Sequence, residues 1–187
     1  MQILAFTGAG ISKASGIPTF EDMGELRECL SRDFATKHPQ KYNHIIKNMY
    51  ETCENASPND GHYALVQYQI PVITMNIDGL HKKSGHPEVM EIHGSLPTKD
   101  ELSNASLLTG KPVLYGDIAP LYQEAMNRVS KLTFGDIFLM IGVSGYTAIA
   151  YSLKEIAYFN GAKIVEINED AEHKVREFLS QTLGGEK

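Results

Sequence analysis

Cysteine is scarce in this chain: among 187 residues only Cys29 and Cys53 occur, and they form no Cys-x-x-Cys pair. Two thiols cannot build a disulfide framework or a four-cysteine zinc site, so the expectation is buried, reduced thiols in a cytoplasmic protein. Long apolar runs are missing too. None approaches the ~18 residues needed to cross a bilayer, and Met1-Gln2-Ile3-Leu4 lacks the charged region and apolar stretch of a signal peptide. Basic runs are absent as well, and the formal net charge is −6. That balance argues against coating a nucleic acid, while an acidic surface still permits basic peptide tails. The expected partners therefore include no nucleic acid and no membrane.

What remains is ordinary for a globular chain: 42% hydrophobic and 21% charged residues. Short apolar runs ending in turn residues mark strands at Met1–Thr7, Val72–Met75, Val89–Ile92, Ile137–Ile141 and Lys163–Ile167. Helical patterns fall between them, at Ile11–Ser15, Gly24–Ser31, Lys41–Glu54, His62–Tyr68, Pro120–Lys131, Ile149–Phe159 and Ala171–Gln181. Isolated strands alternating with helices predict an α/β fold, a three-layer Rossmann-like parallel sheet covered on both faces. One domain over 1–187 is expected, with a polar helical insert at about 33–59 and a loop at about 96–111. Ligands of such sheets bind at the carboxyl ends of the strands, where the chemistry-bearing strings also lie.

Gly8-Ala9-Gly10-Ile11-Ser12 follows a strand and opens a helix. Gly8 and Gly10 would let the backbone approach a pyrophosphate at free N–H groups; the alternative is a tight strand–helix turn with no ligand. The third glycine of G-x-G-x-x-G is replaced by Lys13. Phe20 reads either as an apolar lid over a ligand or as a core anchor. Asn76 and Asp78 stand two apart, so both could face one pocket from an extended segment, Asp78 accepting from a carboxamide; an Asx turn is the plainer reading. His93, between a strand and Gly94-Ser95, has a side chain that titrates near pH 6.5 and could take a proton from a ribose hydroxyl, although a lone histidine is commonly structural. The other histidines take the structural reading, His62 and His81 as caps or braces of helices, and no pair has convincing metal-ligand spacing. Gly142 and Ser144 end one strand and Asn168 another, placing groups for phosphate or ribose at the same sheet edge.

Taken in order, the strings GAGIS…SGIPTF, PNDGHYAL, ITMNIDGLH, EIHGS, KPVLYGD, IGVSG and KIVEIN resemble the sirtuins, NAD-dependent protein lysine deacylases, from residue 3 to about 168. The resemblance implies that Gly8, Ala9, Gly10 and Ser12 line the pyrophosphate and nicotinamide pocket of NAD, with Phe20 as a shield. It implies that Asn76, Ile77 and Asp78 hold the nicotinamide ribose and carboxamide, and that Gly142, Ser144 and Asn168 bind the adenosine half. Val113, Tyr115 and Gly116 would flank an acylated lysine of a protein or peptide, added as a strand. The implied reaction releases nicotinamide as the acyl oxygen attacks the ribose. His93, with Asn76 as the second catalytic residue, then deprotonates a ribose hydroxyl, giving free lysine and O-acyl-ADP-ribose.

Three departures accompany the likeness. The family's four zinc cysteines have no counterpart in Leu96–Gly110, so no zinc is expected and the small domain is reduced to its helical part. An arginine expected near the cofactor is Glu21, a charge reversal that could cost about 1 kcal/mol or more beside phosphates. A glutamine before Asn76 is Met75, which removes a ribose partner. Two other activities fit the same residues: ADP-ribosyl transfer or NAD hydrolysis, and regulatory binding of NAD or ADP-ribose with little turnover.

Overall fold

The computed structural model describes residues 1–19, 21–104, 111–143 and 147–184. Five strands, β1 (Ile3–Thr7), β2 (Val72–Thr74), β3 (Val89–Glu91), β4 (Ile137–Ile141) and β5 (Lys163–Ile167), form one sheet in the order β3-β2-β1-β4-β5. Every neighbouring pair is parallel. The continuous apolar run of β1, buried on both faces, explains its central place. Leu4 and Phe6 face one layer with Phe138 and Met140, whereas Ile3 and Ala5 face the other with Ile137 and Leu139.

Helices cover both faces. The Phe6 side is closed by α6 (Tyr122–Val129) and α7 (Ala148–Phe159) through Ala125, Val129, Leu153 and Ala157. The Ile3 side is closed by α3 (Asp60–Gln67) and α8 (Ala171–Leu183) through Ala64, Leu65, Val175 and Leu179. The three-layer α/β expectation therefore holds. Among the described residues no helix is long and apolar enough to cross a membrane.

A separate cluster joins the polar helical stretch to later chain. Helices α1 (Arg32–Lys37) and α2 (Pro39–Asn55) bury Ala35, Tyr42 and Ile46 against Leu30, Leu96 and Leu114. Two helices here are too short for an apolar stripe. One is α1, which starts at Ser31, whose hydroxyl accepts from the Phe34 N–H. The other is α5 (Lys99–Asn104), in the stretch expected to be loop. Its start is a reciprocal cap: Glu101 accepts from the Thr98 N–H at 2.7 Å, and the Thr98 hydroxyl from the Glu101 N–H at 3.3 Å.

Where strand order reverses, between β1 and β4, the two outgoing loops touch. Gly8 N–H donates to the Ile141 carbonyl and Gly10 N–H to the Gly142 carbonyl, both at 3.0 Å. A Cβ on Gly8 would sit 2.6 Å from the Gly142 oxygen, and one on Gly10 would sit 2.5 Å from the Gly142 Cα. Loop–loop contact by itself thus requires both glycines, as the tight strand–helix turn alternative expects.

Gly142 carries the heaviest demand, with φ +59° and a Cβ that would lie 2.3 Å from the Ile11 nitrogen. Gly135 has φ +91° but open space around its Cβ position. Gly142→Ala is therefore expected to lower Tm by more than about 4 °C beyond Gly135→Ala in thermal melts, since only the former adds a backbone clash to left-handed strain. Equal melting temperatures would disprove the close contact.

Candidate active site

The ends of β1 and β2 bring Ser12, Asn76 and Asp78 together. After β1 the chain enters a 3₁₀ turn, Ala9–Ser15, whose Ser12 is buried. The Ser12 hydroxyl donates to Asp78 Oδ2 at 2.7 Å, and Asn76 Nδ2 donates to the Gly8 carbonyl at 3.1 Å and to Ser12 Oγ at 3.3 Å. Asn76 and Asp78 both face Ser12, as their two-residue spacing predicts. The Asx-turn alternative is also realised in part, because Asp78 Oδ1 accepts from the Leu80 N–H at 2.9 Å, a turn that leads into α4 (Leu80–Lys83). Burial raises the Asp78 carboxyl above its ordinary 3.8, with the hydrogen bonds from Leu80 and Ser12 working the other way.

Behind this trio lies a histidine layer that the sequence reading assigned to bracing. His62 is the third residue of α3 and closes a capping box with Asn59. Its Nδ1 lies 3.3 Å from the Asn59 backbone nitrogen and 3.1 Å from Asn59 Oδ1, and its Nε2 faces Ser12 Oγ at 3.5 Å. His81 Nε2 lies 2.9 Å from Thr7 Oγ1, whose hydroxyl donates to Thr74 Oγ1 at 2.7 Å across the β1–β2 register. His81 Nδ1 is buried without a partner among the described residues. Burial drives the His62 imidazole down to about 4 and His81 well below 6.5.

His93 follows β3. Its Nδ1 donates to the Met75 carbonyl at 3.1 Å, which ties it to the residue next to Asn76. Its Nε2 meets the Tyr122 hydroxyl at 2.7 Å. Burial holds this imidazole below 6.5, opposed by the Met75 bond. The His93 carbonyl accepts from the Val113 N–H at 2.9 Å, so the imidazole-bearing loop is stitched to residues 113–116. Those residues are bound on one side by the helical stretch: the Tyr115 N–H donates to the Leu30 carbonyl at 3.1 Å, and Arg32 N–H to the Tyr115 carbonyl at 2.9 Å. Arg32 also grips Asp117 through Nε and Nη2, at 2.7 and 2.6 Å, and holds its carboxyl below the usual range.

The remaining expected site residues divide. Gly116, with φ +94°, packs near Arg32, and Ile77 packs on the helical cluster. Asn168 Oδ1 accepts from the Val143 N–H at 3.0 Å, which ties the β5 end to the β4 end and leaves its amide hydrogens for another acceptor. Ala9 opens the 3₁₀ turn between Gly8 and Gly10. Phe20 and Ser144 lie outside the described residues. Of the two substitutions noted above, Glu21 is solvent-exposed. Met75 Sδ accepts from the Thr147 hydroxyl at 3.4 Å, so the thioether joins the β2 end to the start of α7. Tyr122 escaped the sequence reading. It lies 29 positions from His93 at a helix start, and no spacing rule couples the two.

A family model described as Sir2 matches residues 8–109, more than half of the chain. The chain is 31% identical to an NAD-dependent protein deacylase of Thermococcus sibiricus, over 89% of this chain and 80% of that protein. It is 33% identical to NAD-dependent protein deacylase 2 of Pyrobaculum aerophilum, over 88% and 78%. Among solved structures, a Sir2 homologue in complex with NAD superposes with a TM-score of 0.84 at 25% identity, covering 98% of this chain and 90% of that one. Matching sequence over most of both chains, on a fold that superposes over nearly their whole length, is the mark of common descent: the chain belongs to the Sir2 family.

Proposed function

We propose that this protein is an NAD-dependent protein lysine deacylase, releasing nicotinamide and O-acyl-ADP-ribose. The observation that carries the reading is His93, a half-buried neutral imidazole tied through Met75 to the hydrogen-bonded set Ser12–Asn76–Asp78, in a family whose two relatives above are NAD-dependent deacylases. The donor set suits NAD. Asp78 accepts from Ser12 and Leu80, which leaves acceptor capacity on the carboxylate for a carboxamide N–H. When bound, NAD supplies the electrophilic ribose and the departing nicotinamide.

The chain's own residues take these roles. Asp78, Ile77, Asn76 and Ser12 hold the carboxamide and its ribose, and burial behind them excludes water. Gly8, Ala9 and Gly10 meet Gly142 at the switch point and line the pyrophosphate, with Ser144 and the Asn168 amide toward the adenosine half and Phe20 shielding the nicotinamide. Val113, Tyr115 and Gly116 receive the acyl-lysine peptide on the side that Leu30 and Arg32 do not use. The helical insert at about 33–59 forms the small lobe, and the protein works in the cytoplasm. His93 Nε2 takes the ribose proton.

Incubation with NAD and an acetylated peptide is expected to release nicotinamide and yield O-acetyl-ADP-ribose by mass spectrometry. Because burial lowers the His93 pKa, the neutral base persists below pH 6.5, and the acidic limb of kcat/KM is expected to lie beneath that value. Free ADP-ribose or ADP-ribosylated protein without acylated product would replace deacylation by hydrolysis or transfer. Binding of NAD without nicotinamide release would mark a regulatory module.

A further inference from the structure

We propose that Tyr122 is a further catalytic residue, its hydroxyl passing the proton that His93 receives. The inference rests on the reading of His93 as the base. A backbone carbonyl only accepts, so the 3.1 Å bond to Met75 places the imidazole hydrogen on Nδ1 and leaves the single lone pair on Nε2. That lone pair is already taken by the Tyr122 hydroxyl at 2.7 Å. A proton bound for Nε2 must therefore displace Tyr122 or travel through it.

Displacement is the less favourable route. Tyr122 opens α6, is half-buried, and packs against the core cluster that holds Met90, Ile92 and Ala125. Its ring lies 5.8 Å from the imidazole, tilted by 45°. Swinging the phenol away would strip that packing and leave Nε2 bare. Passage through it moves no heavy atom, because a phenolic oxygen can accept one hydrogen while donating another. In that step the attacking hydroxyl loses its proton to the Tyr122 oxygen as the Tyr122 O–H bond breaks and Nε2–H forms. Tyr122 ends as it began, a neutral phenol, and His93 ends as an imidazolium whose Nδ1–H faces the Met75 carbonyl.

The surrounding titratable groups do not offer a substitute. Glu91 is paired with Lys82, and Tyr115 is the ionisable neighbour of Tyr122 itself. Arg32 and Asp117 are engaged with each other.

Tyr122→Phe keeps the ring and its packing while removing the hydroxyl. Formation of acylated ADP-ribose is expected to fall by about tenfold or more, with nicotinamide exchange retained, since only the base-dependent half is touched. In the protein without NAD, the NMR titration midpoint of His93 is expected to rise, because the Tyr122 hydrogen bond favours neutral imidazole. Product formation equal to or above wild type at every pH, or loss of nicotinamide exchange together with product, would overturn the relay. If wild type itself releases no nicotinamide, the deacylase reading fails instead, and the shifted His93 midpoint still reports the hydroxyl–imidazole bond.

Discussion

His93→Ala is expected to lower formation of O-acyl-ADP-ribose by about 10²–10⁴-fold while nicotinamide release from NAD and acetylated peptide survives in an exchange assay. The split follows from where the imidazole stands. Its hydrogen bonds go to the Met75 carbonyl and the Tyr122 hydroxyl, not to Ser12, Asn76 or Asp78, which the proposed reading assigns to the nicotinamide half. Removing the ring therefore removes a proton acceptor and leaves the carboxamide-binding set hydrogen-bonded as before. The fold should tolerate the change, because His93 is only half-buried and gives up two hydrogen bonds worth about 1 kcal/mol each. Circular dichroism and a thermal melt check that point. Unchanged product formation in a folded His93→Ala protein would strip His93 of the role of base, and the Tyr122 relay with it.

The sheet was legible in the sequence because its signal is local. Apolar runs bounded by Asn, Asp and Gly read as β4 and β5 at their observed limits, and β1 to β3 differ by at most two residues at either end. The pairing of Asn76 with Asp78 was legible for the same reason, since alternation along an extended segment is a two-residue rule. Contacts made over long sequence separation were not. Gly10 meets Gly142 and His93 meets Tyr122 only because parallel strands deliver their loops to one edge, and no spacing encodes either meeting. The helix at Lys99–Asn104 belongs between these cases. Its Thr98 and Glu101 spell a capping box, which is readable, but six residues are too few to show a period.

Acidification from pH 7 to 4.5 is expected to destabilise the protein through its buried histidines. His62 is fully buried and its imidazole lies at about 4, against an ordinary 6.5. Between those values the unfolded chain binds a proton that the folded chain refuses, so stability is complete above pH 6.5 and declines as pH falls toward 4. At about 1.4 kcal/mol per pKa unit, His62 alone accounts for roughly 3 kcal/mol across the window, or about 6–12 °C in Tm for a chain of this length. His81 acts in the same direction. Its ring lies 4.9 Å from His62, and a proton on its partnerless Nδ1 would be buried with nothing to accept it. Two groups oppose the trend. Asp78, raised by burial, is protonated more readily in the folded chain, and the exposed His173 is held up by Asp170. Asp117 lies below its ordinary 3.8 and so contributes only at lower pH. His62→Gln is the informative variant, because glutamine keeps the reciprocal cap with Asn59 and carries no titrating group. Melts at pH 7 and 4.5 should show a smaller acid-induced drop in the variant than in wild type; a wild-type Tm that stays level across that range would refute buried, neutral histidines behind Ser12.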